Sequence, residues 1–256
     1  MVKTKKYVLT GLMTALVFIL TFGPIKIPVP YTTGYIHLGD SMIYLSVLLL
    51  GPFLGAFASG VGSMLADLAG GYIHFALPTL AIKALMALIM GFILTGKTKK
   101  SHLLAAGSAV GVWSLFSVGS LIFLQNQLTA MGTGKLVESI AGADAGQEAL
   151  SETQQALNRL PWFIVGGVAV AIVLLVLAAF IVSRKKGGNL FPPEAFIGMV
   201  AAGMLMVMGY YLVECFMYGP LPALFSVGPN LLQFFGGVLV AVILAPPVLK
   251  AAQRIH

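Results

Sequence analysis

Long apolar stretches alternate with short polar breaks along most of the chain. Eight of them approach the roughly 20 residues that a helix needs to cross the hydrocarbon of a bilayer, at 7–23, 41–53, 55–69, 78–95, 103–124, 162–183, 195–217 and 229–249. The second and third are too short for ordinary spans, and Gly51-Pro52 divides them. Proline removes a backbone donor and bends the chain, so two short helices packed inside a bundle are expected there. The break at 125–160 is of another kind, with Glu138, Asp144, Glu148 and Glu152 among Ala, Gly and Gln. It offers little to bury, which predicts a solvated external hairpin of partial helicity, with Ser151-Glu152-Thr153-Gln154 capping a short helix. The expected fold class is all-α, a polytopic integral membrane helical bundle of eight helices in one membrane domain.

Composition agrees. Of the 256 residues, 59% are hydrophobic and 9% charged, against about a quarter charged in a soluble domain, which excludes a water-soluble globular enzyme. The 30 glycines show no Gly-X-Y period and read as close helix contacts. A single Cys215 excludes a disulfide framework, and scattered histidines without HExxH or CxxC predict no metal site. The net charge of +7 sits largely in clusters: Lys3, Lys5 and Lys6; Lys97, Lys99 and Lys100; Arg184, Lys185 and Lys186; Lys250 and Arg254. With eight crossings all four fall on one side, which the positive-inside rule assigns to the cytoplasm together with both termini. Merging the two short helices would scatter the clusters over both sides. The first apolar run is preceded by lysines, as in a signal peptide, but no small-residue cleavage site follows Phe22, so a retained helix is expected.

Ionisable groups at membrane depth are costly unless they pair or line a cavity, and here they gather at the outer end. Asp40 opens the second segment, Asp67 closes the third, Lys83 lies just over a turn into the fourth, Tyr210 and Glu214 end the seventh, and Asn230 and Gln233 open the eighth. The first external loop adds Tyr31, Tyr35 and His37, stiffened by Pro24, Pro28 and Pro30, and the turn at 70–74 adds Tyr72 and His74. These twelve residues are the candidate binding set. An aromatic pocket with a few donors and acceptors suits a small, flat, polar ring. Plainer roles are open for several: interfacial belt for Tyr31, Tyr35, Tyr72 and Tyr218, backbone-satisfied loop histidines for His37 and His74, and a buried ion pair for Lys83 and Asp67. No nucleophile stands paired with a base, so no catalytic residue is expected. Gly55, Ala56, Ala58, Ser59, Gly60, Gly62 and Ser63 make the third segment small on nearly every face, and Gly11 and Ala15 form a small-xxx-small patch on the first.

The runs Gly34-Tyr35-Ile36-His37-Leu38-Gly39-Asp40-Ser41, Leu48-Leu49-Leu50-Gly51-Pro52, Ala66-Asp67-Leu68-Ala69-Gly70-Gly71-Tyr72 and Thr79-Leu80-Ala81-Ile82-Lys83-Ala84-Leu85-Met86 resemble the substrate-binding S components of energy-coupling factor (ECF) vitamin transporters. The nearest branch is the riboflavin-type one, also linked to vitamin B6 and hydroxymethylpyrimidine. The resemblance covers 1–96 and 195–250. It implies a binding subunit of the cell membrane, not an enzyme, that takes a small-molecule vitamin from outside and topples while docked on a membrane T component driven by two cytoplasmic ATPases. No cofactor is expected on this chain, and the absence of a Walker A motif leaves ATP hydrolysis to those partners. The family's Ala-xxx-Ala docking motif maps onto Gly11 and Ala15, with Gly in place of the first Ala. The resemblance also implies a six-helix core, in 1–96 and 195–256, interrupted by an inserted two-helix transmembrane hairpin at 97–194. The alternative function is an autonomous secondary transporter of a small polar aromatic solute.

Overall fold

In the computed structural model, which describes residues 3–23, 27–29, 31–32, 34–96, 99–142, 144–184 and 193–254, eight helices account for nearly all of the described chain. They are α1 (Lys3–Phe22), α2 (Gly39–Gly70), α3 (Ile73–Thr95), α4 (Lys99–Met131), α5 (Thr133–Ala141), α6 (Gln147–Arg184), α7 (Pro193–Tyr218) and α8 (Pro220–Arg254). Two short strands, β1 (Ile27–Pro28) and β2 (Tyr35–Ile36), form an antiparallel pair between α1 and α2. The stiffening expected from Pro24 and Pro30, and the basic residues Lys97, Lys185 and Lys186, lie outside the described residues.

The expected break at Gly51-Pro52 is present inside α2, where Gly51 adopts φ 77°, ψ −173°. Only glycine takes up that conformation at little cost. The chain folds back there. Residues 47 and 55 of a straight helix stand about 12 Å apart, yet a Cβ on Gly55 would lie 3.1 Å from the Cα of Val47. The first arm is buried without interruption from Gly39 to Val47, and the second buries its small residues, including Ala58, Ser59, Gly62 and Ser63. A Cβ on Gly62 would meet the Thr14 carbonyl of α1 at 2.6 Å, and one on Gly60 the Leu80 carbonyl of α3 at 2.9 Å. The second arm therefore seats α1 and α3 at backbone distance, as its composition predicts.

On α3 the buried positions Phe75, Thr79, Lys83, Met86 and Met90 recur at helical spacing and form one stripe. All eight helices contribute to the core, α4–α6 through residues such as Trp113, Leu136 and Ile164, and the outside carries large exposed apolar side chains, among them Phe216 at 92% and Leu115 at 76% exposure. Such a surface is suited to lipid and not to water. Six helices among the described residues are long and apolar enough to cross a membrane, and the eight expected segments fall on α1, the two arms of α2, α3, α4, α6, α7 and α8.

Several boundaries differ from expectation. Helix α3 begins at Ile73 and carries Pro78 inside it, which near a helix start forfeits only one early backbone bond. Lys83 is consequently almost three turns deep. Helix α8 begins at Pro220, after Gly219 at φ 90°, so Asn230 and Gln233 also sit well inside it. The largest difference is at 125–160. This segment is a continuation of α4, the separate helix α5, and the first turns of α6, and it buries Leu136, Val137, Leu157 and Leu160. Its few apolar residues fall on single helix faces, so they pack together despite their low number. Ser151 lies inside α6 and bonds the Glu148 carbonyl instead of capping a helix.

Lys5 of α1, Leu49 next to the α2 turn and Val248 of α8 line one groove, and Pro52 abuts Gly91 of α3. These basic-flanked ends therefore share one end of the bundle, while Asp40 and Asp67, at the two ends of α2, share the other. Gly62→Leu is expected to separate α1 from α2 and to lower stability by about 1–3 kcal/mol, measured by thermal unfolding in detergent. Gly11→Leu is expected to leave the midpoint unchanged, since a Cβ there meets nothing within 4 Å.

Candidate functional site

A cavity lies beneath the β1–β2 hairpin. Val29, Gly34, Tyr35 and His37 cover it, Asp67 of α2 and Phe75 and Thr79 of α3 form one wall, and Tyr210 and Glu214 of α7 with Asn230 and Gln233 of α8 form the other. Its free volume is about 30 Å³, room for one or two waters. Admission of an aromatic ring requires the hairpin or the tyrosines to move.

Under the cavity runs a buried polar chain. Lys83 donates to Asp40 Oδ1 at 2.5 Å, and both side chains are fully buried. The second carboxylate oxygen of Asp40 accepts from Gln233 Nε2 at 3.0 Å, and Gln233 Oε1 accepts the backbone N–H of His37 at 3.0 Å. The Gly39 amide donates to His37 Nδ1, which leaves any ring proton of a neutral His37 on Nε2. Helices α2, α3 and α8 and the covering loop are thus tied at one depth. Gly237 admits this approach, because a Cβ there would stand 2.9 Å from Asp40 Cβ. Lys83 also lies 5.4 Å from the centre of the Tyr210 ring, whose hydroxyl donates to Thr79 Oγ1 at 3.1 Å.

The wall nearest the hairpin is built around Tyr35. Its hydroxyl donates to Asp67 Oδ1 at 2.9 Å, and its ring lies 4.5 Å from that of Tyr72 and 5.5 Å from His37. Burial, reinforced by the Asp67 carboxylate, holds the Tyr35 phenol above its ordinary pKa, so it remains a donor at physiological pH. Glu214 is 2% exposed, and its Oε2 has no hydrogen-bond partner among the described residues. A buried carboxylate oxygen on a cavity wall without a donor is where a ligand donor gains most.

Of the twelve candidate residues, Tyr35, His37, Asp67, Tyr210, Glu214, Asn230 and Gln233 line the cavity. Asp40 and Lys83 do not line it but form the buried layer, its floor, that holds the lining residues Gln233 and Tyr210 from behind, and Tyr72 backs Tyr35. His74 is at the exposed rim, with its Nε2 3.4 Å from the Tyr218 hydroxyl. Tyr31 turns away: its ring packs 4.5 Å from Phe225 and its hydroxyl donates to Thr153 of α6. The candidate pair of Lys83 with Asp67 is not formed. Asp40 reaches Lys83 at the same depth, whereas Asp67, at the far end of α2, faces the hairpin and bonds Tyr35. Sequence reasoning missed Val29, Gly34, Phe75 and Thr79. The last two stand eight and four residues before Lys83 on the same helix face, which is the signal that points to them.

Together the groups offer aromatic faces, carboxylate acceptors and two amides around a small enclosed space. Once opened, an arrangement of that kind is chemically suited to the edge and face of a flat polar ring.

A model of the family described as ECF-type riboflavin transporter, S component, matches residues 1–183. The match runs through α4–α6 and ends before α7, so of the two stretches that carry the motif resemblance it includes 1–96. The chain is also 36% identical over 125 residues to an "Uncharacterized protein in gap 3'region" of Pyrococcus woesei, which covers 48% of this chain and 84% of that one. No solved structure matches the chain.

Lys83→Ala leaves the Asp40 carboxylate buried without its cation. It is expected to cost about 3–5 kcal/mol of stability, read as a fall in the unfolding midpoint of the purified protein, whereas Asp40→Leu combined with Lys83→Met is expected to recover most of the loss.

Proposed function

Since the chain belongs to the family of ECF-type riboflavin transporter S components, a family of vitamin-binding transport subunits, we propose that it captures a heteroaromatic vitamin in the cavity beneath the β1–β2 hairpin. The chain is a multi-pass protein of the cell membrane. The observation that carries the reading is the cavity lining, where Tyr35, Tyr210 and Phe75 supply ring faces and Glu214, Asn230 and Gln233 supply polar groups for a ring edge. Riboflavin, pyridoxine and hydroxymethylpyrimidine share that chemistry. In the proposed orientation the cavity faces outward and the basic ends of the bundle face the cytoplasm, in keeping with the positive-inside rule. Release to the cytoplasm follows toppling on a T component driven by two ATPases. Gly11 and Ala15 are exposed on α1 and form the proposed docking stripe.

Purified protein is expected to bind one of the three vitamins saturably without ATP, and native mass spectrometry of protein prepared without added ligand identifies which one is retained. Glu214→Ala is expected to weaken that binding by about 10- to 100-fold, the equivalent of one lost buried partner, with an unchanged unfolding midpoint. Accumulation of vitamin by vesicles containing this chain alone, driven by an ion gradient, overturns the reading in favour of a secondary transporter. Gly11→Leu and Ala15→Leu are expected to preserve binding but abolish co-purification with the T component, because added bulk parts closely packed helices.

A further inference from the structure

No described residue of α4, α5 or α6 lines the cavity, yet this hairpin of helices touches the loop that joins the two covering strands. The contact is Tyr31, in the connection between β1 and β2. Its hydroxyl donates to Thr153 Oγ1 at 2.9 Å. Thr153 is 1% exposed and donates its own proton to the Ala149 carbonyl of α6 at 2.8 Å. A hydroxyl has one proton and two lone pairs; with the proton committed, Thr153 presents only an acceptor, and the bond to Tyr31 has a fixed sense.

Two further observations mark this contact. Tyr31 is the one non-glycine residue among those described with positive φ, at 64°, a conformation that a bulky side chain keeps only where its surroundings hold it. Its ring lies 4.5 Å from Phe225 and helps to line a pocket of about 180 Å³ shared with Leu160 and Phe163 of α6 and Pro229 of α8. Just beyond Tyr31 the chain enters the cover itself: Gly34 accepts from the Val29 amide at 2.9 Å, and Tyr35 bonds Asp67.

We propose that Thr153 is a positioning residue for the binding cavity, which latches the β1–β2 hairpin through Tyr31 so that α4–α6 sets how often the cover opens and how fast a ligand leaves. The second half rests on the proposed vitamin function; the first does not. The experiment uses the full chain with Thr153→Val, Thr153→Ser, Tyr31→Phe and the Tyr31→Phe/Thr153→Val pair. Amide hydrogen exchange is followed without ligand in a peptide spanning 27–37, with a peptide from α7 as reference, and the release rate is measured for the vitamin that binds. Thr153→Val and Tyr31→Phe are each expected to raise exchange in 27–37 by about two- to tenfold, the worth of one neutral hydrogen bond, and to raise the release rate by a similar factor. Thr153→Ser, which keeps the acceptor, is expected to match the wild type, and the double variant to exceed neither single one. The proposal is overturned by unchanged exchange, by additive effects in the pair, by Thr153→Ser behaving like Thr153→Val, or by faster exchange with an unaltered release rate. Faster exchange in a chain that binds none of the three vitamins supports the latch and removes the vitamin reading instead.

Discussion

The ion pair between Asp40 and Lys83 is the constraint around which the bundle is arranged. Two opposite charges in a fully buried place are tolerable only when they meet each other and their remaining valences are filled. Gln233 fills one by donating to the second carboxylate oxygen, and its carbonyl then holds the amide of His37. Three helices and a loop must therefore arrive at one depth. The absence of side chains at Gly237 of α8 and at Gly60 and Gly62 on the second arm of α2 lets them do so. Small residues and buried charge are thus two parts of one arrangement: the first permits close approach, and the second fixes where it stops.

The floor and the walls of the cavity have different characters. In the floor both carboxylate oxygens of Asp40 and both ends of the Gln233 amide are matched by other groups of the protein, which favours rigidity. In the wall, Glu214 keeps an oxygen without a donor among the described residues, and the free space is closed to about the size of water. The proposed binding of a ring there requires movement of the covering strands or of the lining tyrosines, which makes affinity depend on the stability of the closed arrangement as well as on contacts with the ring.

Much of this was legible in the sequence. The Gly51-Pro52 break, the inward-facing first arm, the small-residue second arm and the convergence of Asp40, Asp67, Glu214, Asn230 and Gln233 on one end all follow from apolar run lengths and the positions of polar residues within them. What was not legible depends on register or on distant pairing. Whether Lys83 meets Asp40 or Asp67 is decided by depth, and depth shifted once α3 began five residues earlier than its proline implied. The segment at 125–160 reads as polar by average, but helix α5 buries Leu136 and Val137 on one face, a pattern that averaging hides. Tyr31 looked like its neighbour Tyr35; the left-handed turn that aims it toward α6 leaves no mark in composition.

The reversal at Gly51 places both carboxylates of α2 on a single folded strut. Asp40 and Asp67 are 27 positions apart in the chain, and their separation in space is governed by the phase of one arm relative to the other. Loss or gain of one residue at the bend would swing the second arm by about 100° about its axis. Asp67 would then point away from Tyr35 while Asp40 stayed where it is. Length is therefore under tighter restraint at this bend than in the polar connection between α5 and α6, where neither acid is phased by the residue count.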